Sequence, residues 1–445
     1  MSFRSQLTGR RVVILAIVLH TVLLFVVLPE MSGRLHPMYN QDEYADGYDQ
    51  IATNLAEGHG YRMYPDTALT MVREPGYPTL LAGIFLVFGK RFVAVKLVNM
   101  LLAFGAAWLM ARIARRLSDS HVLTLGAPLL FLFHPGTLVA ESRGGVEAPF
   151  TFLLALFVLT LYRAIESNRR SAYVLSGAAL GVTVLVKSTP MLFPVCVLAY
   201  LVVFEHRSSI QRNCLHVAFM TIAMFLALSP WIVRNYSLTG KFIPTATVLG
   251  VSAHAGQYVN THLTTADSWA LVDREGARER RRIAEELGYR FKDVTNAYYQ
   301  DFYSSSDEVK FSNYLFKGVL AEYWRSPMMF VKCVSSNCFN LWFRGKTGNS
   351  TTLNMIVQLP YLILAVLGLV LTVRNRQIKI IAPLLLLLIY IAGVHVVILA
   401  QARYSVPLVP FLSILASVSL VAAQRRLSGT KASMEAVARG ELALQ

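Results

Sequence analysis

A chain of 445 residues that is 55% hydrophobic and only 15% charged, with a mean hydropathy of +0.48, lies outside the range of soluble proteins. Its net charge of +16 does not point to nucleic acid, because the basic residues come in small groups between apolar runs and not on one water-facing surface. The cysteines, Cys196, Cys214, Cys333 and Cys338, lack metal-ligand spacing and suggest no disulfide framework.

The first apolar segment, Val12 to Leu28, follows Arg4, Arg10 and Arg11 as in a signal peptide, but the next residues offer no small-x-small cleavage site. It reads as an uncleaved first span with its amino end in the cytoplasm. A crossing helix needs about 20 apolar residues, and that length predicts about ten spans. They lie near residues 12–28, 93–113, 121–139, 149–165, 172–187, 190–204, 214–233, 353–373, 378–399 and 406–423. The expected fold is an all-α polytopic membrane protein. Residues 1–28 form its cytoplasmic amino end and first span, 29–92 a first outer loop, and 93–233 a transmembrane core. Residues 234–352 form a second outer loop, 353–423 the carboxyl-terminal spans and 424–445 a cytoplasmic tail.

Parity supports the count. With the amino end inside, the basic groups Arg112/Arg115/Arg116, Arg163/Arg169/Arg170, Arg207/Arg212, Arg374/Arg376/Lys379 and Arg425/Arg426 all fall on the cytoplasmic side. The run from Pro78 to Gly89 is too short to cross and reads as a re-entrant or interfacial helix of the first loop. So does Pro327 to Phe343, which Lys332, Ser335, Ser336 and Asn337 interrupt. The stretch from Asp267 to Tyr303 reads as an amphipathic helix over the membrane surface, in the simplest case a solvated cap without chemistry.

Chemistry is expected on the outer face, where the long loops lie. Asp42 and Glu43 form an adjacent acidic pair ahead of a helical pattern of Tyr44, Tyr48, Ile51, Ala52 and Leu55. An acid there is often only an N-cap. Cations at the same membrane level change that reading: Arg73, Arg143, Lys187, Arg234 and Arg403 all reach the outer rim, against the positive-inside rule. A lipid phosphate or pyrophosphate would satisfy them, with Arg supplying forked contacts and Lys a point charge. A carboxylate beside such a site suits transfer of a group from the lipid to an acceptor hydroxyl, the carboxylate taking the proton and the cations steadying the departing phosphate.

Glu147, with Gly144 and Gly145 just before it, is an accessory candidate beside Arg143. His254 and His262 could join Asp42 or Glu43 on a divalent metal, but the sequence has no HxxxH or HExxH spacing, and we expect no metal and no other cofactor. No Walker-type phosphate loop or dinucleotide fingerprint occurs, which argues against a soluble nucleotide substrate.

The stretches QDEYADGYDQIATNLAEGHGY, REPGYPTLLA, SPWIVRNYSLTGKFIPTATVLG and QARYSVPLVPFL together resemble the polytopic GT-C glycosyltransferases, especially bacterial members near the protein O-mannosyltransferases and the lipid A aminoarabinose transferases. The resemblance implies a GT-C-like fold with amphipathic juxtamembrane helices in its outer loops. It also implies inverting transfer of a hexosyl or pentosyl group from a polyprenyl-phosphate sugar donor at the outer face of the cytoplasmic membrane. On it, Asp42 matches the catalytic acid and Glu43 its frequent neighbour; Arg73, Lys187, Arg234, Arg403 and Tyr404 fall in the donor-binding elements. The acceptor would be a glycan, lipid or protein. The competing readings are a transporter or flippase of lipid-linked glycans and a glycan polymerase or ligase. A transporter loses support because no internal repeat occurs and the polar groups gather at one rim.

Overall fold

The structure is a computed structural model that describes residues 3–32, 46–118, 120–205, 209–263, 269–293, 299 and 301–438. It is all-helical: no strand occurs among the described residues, where an isolated antiparallel bridge joins Phe291 to Phe302. The first helix, α1, runs Arg10–Glu30. The first loop carries α2 (Tyr48–Ala56) and α3 (Gly76–Phe88). The core follows as α4 (Phe92–Ala114), α5 (His121–Leu132), α6 (Pro135–Ser142), α7 (Glu147–Ser167), α8 (Arg170–Val186), α9 (Thr189–Phe204) and α10 (Ile210–Thr239). The second loop holds α11 (Val248–His262), α12 (Trp269–Glu286), α13 (Ser305–Arg325) and α14 (Pro327–Trp342). The chain closes with α15 (Gly348–Arg374), α16 (Ile378–Ile398) and α17 (Ala402–Arg425).

Each span expected from the sequence has its helix. Among the described residues seven helices are long and apolar enough to cross a membrane, and α5 and α6, bent by 49° at their break, reach that length and hydropathy only as a pair. The bend falls where Pro135 follows His134, since proline cannot continue the hydrogen-bond ladder from the preceding turn. Helices α8 and α9, the two short spans of the sequence reading, fall below the usual crossing length.

Close helix crossings use small residues. A Cβ on Gly177 of α8 would come within 2.1 Å of the Met220 carbonyl on α10, and one on Gly181 within 2.6 Å of Ala227 Cβ. Gly368 of α15 admits the Leu415 carbonyl of α17 in the same way. Because turns alternate between the ends of the bundle, the short basic turns gather at one end. There Arg116 pairs with Glu166, Lys379 pairs with Glu205 at 3.0 Å, and the Tyr162 hydroxyl donates to the Ile380 carbonyl at 2.8 Å. Both long loops stand at the opposite rim.

Helix α3 is docked on the bundle through Tyr77, Leu81, Ala82 and Phe85 and leaves Leu86, Val87 and Phe88 exposed, as a membrane-resting helix should. The stretch 267–303 contains an amphipathic helix with a charged outer face, Arg274, Glu275, Arg278 and Arg282 among it. It is α12, which buries Trp269, Val272, Ala277, Arg280 and Ala284 on the side that packs against α11.

Candidate active site at the rim

The site grows from Asp46 and Gly47, just before α2. Gly47 has φ +71°, a left-handed conformation that a residue with a Cβ adopts only under strain, so glycine suits the turn into α2 at this point. That turn presents the Asp46 carboxylate at the foot of α2. Across the loop, the Asn54 amide donates to the Arg62 and Met63 carbonyls at 3.0 and 2.9 Å. The Tyr61 hydroxyl bridges the carbonyls of Arg73 and Glu74, at 3.0 Å each.

Arg73 is thereby fixed between two rings, 4.7 Å from the centre of Tyr48 and 4.8 Å from that of Tyr299. It donates from Nε to the Asp46 carbonyl at 2.8 Å and from Nη2 to Asp46 Oδ1 at 2.9 Å, and also reaches the Tyr299 hydroxyl. From the far end of the chain, Arg403 donates from Nη1 to Asp46 Oδ2 at 2.7 Å and from Nη2 to Oδ1 at 3.3 Å. Beside it the Tyr404 ring lies 4.5 Å from Lys187 Nζ and stacks on His395. Glu74 ties the loop to this corner by accepting the Ser188 amide at 2.9 Å.

Burial pushes the Asp46 carboxyl up, but the guanidiniums of Arg403 and Arg73, with Lys187 further off, outweigh it and hold it well below the usual carboxylate range. Asp46 is therefore an anion at any working pH. Oδ2 accepts a single bond from Arg403, so lone-pair capacity remains on the atom.

A cavity of about 410 Å³ opens beside this ion cluster. Asp46, Arg143, Glu147 and Arg403 line one part of it; Arg344, Lys346 and the start of α15 line another, and Trp269 of α12 contributes to the wall. The start of α15 is held by reciprocal bonds between Thr347 and Ser350: the Ser350 amide donates to Thr347 Oγ1 at 3.3 Å, and the Thr347 amide to Ser350 Oγ at 2.9 Å. A helix start carries partial positive charge, so α15 adds to the cationic character that Arg344 and Lys346 give the wall.

The structure brings Arg73, Lys187, Arg403 and Tyr404 together around one carboxylate, and it places Arg143 and Glu147 on the cavity wall. Asp42 and Glu43 lie outside the described residues. Arg234 stands apart. It donates to the carbonyls of Thr70 at 2.9 Å and Tyr61 at 3.4 Å, and packs 4.4 Å from the Trp231 ring, pinning the first loop to α10.

Sequence reasoning passed over Asp46, Tyr299, Arg344 and Lys346. For Asp46 a usable signal existed: it is the acid directly before the glycine that opens α2. Arg344 and Lys346 gave none beyond lying just before an apolar run. Among the described residues no group of three His, Cys, Asp or Glu could hold a metal ion. His262 Nδ1 is within 2.9 Å of the Tyr258 carbonyl, and burial beside Arg280 pushes His254 down to about 4.

Residues 72–233, less than half of the chain, match the family described as dolichyl-phosphate-mannose-protein mannosyltransferase. No curated protein matches the chain in sequence. Among solved structures, the apo oligosaccharyltransferase of Archaeoglobus fulgidus aligns with a TM-score of 0.58 at 13% identity, over 98% of this chain and 53% of that one. The oligosaccharyltransferase AglB of the same organism, in complex with an inhibitory peptide and a dolichol-phosphate, aligns with a TM-score of 0.56 at 13% identity, over 98% and 52%. ArnT of Cupriavidus metallidurans bound to undecaprenyl phosphate aligns with a TM-score of 0.43 at 13% identity, over 92% of this chain and 77% of that one. The chain spans about half the length of the oligosaccharyltransferases it matches, and at such identity the likeness shows fold alone. The chain is thus a multi-pass membrane protein that shares its fold with the oligosaccharyltransferases of Archaeoglobus fulgidus, and its residues 72–233 match the dolichyl-phosphate-mannose-protein mannosyltransferase family.

Proposed function

We propose that this protein is a membrane glycosyltransferase that moves a hexosyl or pentosyl group from a polyprenyl-phosphate donor to a hydroxyl of a glycan, lipid or protein acceptor. The observation that carries the reading is the Asp46 carboxylate held by Arg73 and Arg403 on the wall of a rim cavity with cations on both sides. The basic turns at the opposite end favour a cytoplasmic location for that end, which turns the cavity to the outer face of the cytoplasmic membrane.

In this reading the donor phosphate lies among Arg403, Arg143, Arg344 and Lys346. Its charge draws Arg403 away from Oδ2 and so raises the proton affinity of Asp46 once the donor is seated. The acceptor oxygen attacks the anomeric carbon from the side opposite the phosphate, and its proton passes to Asp46. The carbon–oxygen bond to phosphate breaks, and the pair of electrons leaves on the polyprenyl phosphate, giving inversion in one displacement. Asp42 and Glu43, a few residues upstream, are rival bases in the same loop.

The test uses the full chain in proteoliposomes with a panel of labelled polyprenyl-phosphate sugars. Asp46→Asn is expected to lose transfer by about 100-fold or more while still binding polyprenyl phosphate. Full transfer by Asp46→Asn with loss in Asp42→Asn or Glu43→Gln would move the base to the upstream pair. No transfer of any sugar by the wild-type chain would sink the reading.

A further inference from the structure

The turn between α6 and α7 sets a carboxylate on the cavity wall that the transfer chemistry above does not use. Three bonds fix that turn: the Tyr77 hydroxyl donates to the Gly144 carbonyl, the Asn99 amide to the Gly145 carbonyl at 3.0 Å, and the Gly145 amide to the Ala140 carbonyl at 3.2 Å. Glu147 then opens α7 and is 7% exposed. An acid at a helix start commonly accepts amides of the first turn, and Pro149 has none to offer. Among the described residues the Glu147 carboxylate makes no hydrogen bond and no ion pair, and its oxygens are open to the cavity that it lines.

An unpaired carboxylate in so closed a place is costly. Arg403 and Lys187 lie within electrostatic reach and balance its charge from a distance, but neither bonds to it. Its position depends on Gly145, itself part of the wall: Glu147 Oε2 sits where a side chain would begin, 2.1 Å from the place of a Cβ. A carboxylate only accepts, so its partner must donate. An ammonium or a divalent cation would enter against the charges of Arg143 and Arg403, and among the described residues no group of three acids, histidines or cysteines could hold a metal. Hydroxyls donate without adding charge, and two on neighbouring carbons can each meet one carboxylate oxygen.

We infer that Glu147 holds two neighbouring hydroxyls of the transferred sugar, and so selects a neutral sugar with a vicinal diol over an amino or deoxy sugar. The inference rests on the glycosyl-transfer reading and adds the substrate class to it. Glu147 is assigned no part in bond making; it acts on binding.

The experiment measures binding to the full chain in lipid nanodiscs, in magnesium and in EDTA. The probes are bare polyprenyl phosphate, then polyprenyl-phospho-mannose, -glucose, -galactose, -arabinose and -glucosamine, then the monodeoxy series of whichever neutral sugar binds best. The variants are Glu147→Gln, which keeps the shape of the side chain, and Gly145→Ala. Gly145 has no left-handed φ, and beyond Glu147 the new Cβ would meet nothing closer than the Ala140 carbonyl at 3.6 Å, so alanine displaces the carboxylate and little else. The expected result is that two deoxy probes, altered at adjacent carbons, bind the wild type about tenfold more weakly than their parent. That difference closes in both variants, and neither variant weakens the binding of bare polyprenyl phosphate. Equal parent-to-deoxy ratios in wild type and variants overturn the inference and leave Glu147 a structural acid. Tightest binding of the glucosamine probe, or a gain from sugar that needs magnesium, also overturns it. Binding of bare polyprenyl phosphate with no gain from any sugar overturns it and leaves the donor-phosphate reading standing. Failure of polyprenyl phosphate itself to bind overturns both.

Discussion

The carboxylate of Asp46 and the guanidinium of Arg403, 357 positions apart, meet in a forked contact of 2.7 and 3.3 Å. The geometry sets two roles for Arg403, one toward the carboxylate and one toward an incoming phosphate. Arg403→Lys keeps the charge but loses the fork, and is expected to weaken binding of polyprenyl phosphate by about tenfold in a nanodisc binding assay. Arg403→Ala should weaken it further, and unchanged affinity in both would remove Arg403 from the phosphate site.

Arg234 gives the contrasting case. Its guanidinium serves the carbonyls of Thr70 and Tyr61, so Arg234→Ala strips donors from the first loop without touching the cavity wall. Thermal unfolding should show a loss of about 2 kcal/mol, with polyprenyl phosphate binding unchanged in the molecules that stay folded. A binding defect at full stability would return Arg234 to the donor site.

Asp301 predicts a pH dependence of stability. Burial raises its carboxyl to about 7, with Glu308 adding to the rise and Lys292 opposing it. The unfolded value is about 3.9, so the folded state holds the proton more tightly. Its stabilising contribution is complete below about pH 4 and is lost as pH rises toward 7, a span worth about 4 kcal/mol. Asp301→Asn should flatten that part of the unfolding profile between pH 4 and 7. An unchanged slope would show that the carboxyl titrates normally.

Gly177 and Gly181 let α8 lie directly on the backbone of α10. Gly177→Val forces the helices apart and is expected to cost on the order of 3 kcal/mol. Because Lys187 and Ser188 follow the end of α8, the same change should also disturb the Glu74–Ser188 contact and lower transfer. Unaltered unfolding would show that the crossing relaxes at no cost.

The spans were legible because crossing a bilayer demands length and continuous hydrophobicity, both visible in one dimension. The break at Pro135 within residues 121–139 went unread. The site was legible only as a set of types. Asp42, Glu43, Asp46 and Asp49 crowd into eight positions, and residue type alone does not say which of them the fold will turn toward Arg403. That choice comes from Gly47, whose positive φ aims Asp46 and strains any residue with a Cβ at that point. Arg234 looked like its fellow rim cations because the carbonyls it serves carry no mark in the sequence. Arg344 and Lys346 join the wall through tertiary packing of the second loop, which no local pattern encodes.

The contact between Asp46 and Arg403 also sets a schedule. At a synthesis rate of roughly 5–20 residues per second, the 357 positions between them take roughly 20–70 s to make. Throughout that interval Asp46 has Arg73 within its own loop, while the second half of its grip waits for the last helix to be inserted. A nascent chain stalled before α17 therefore carries a half-built pocket, and competence arrives as a late event in biogenesis, coincident with completion of the bundle.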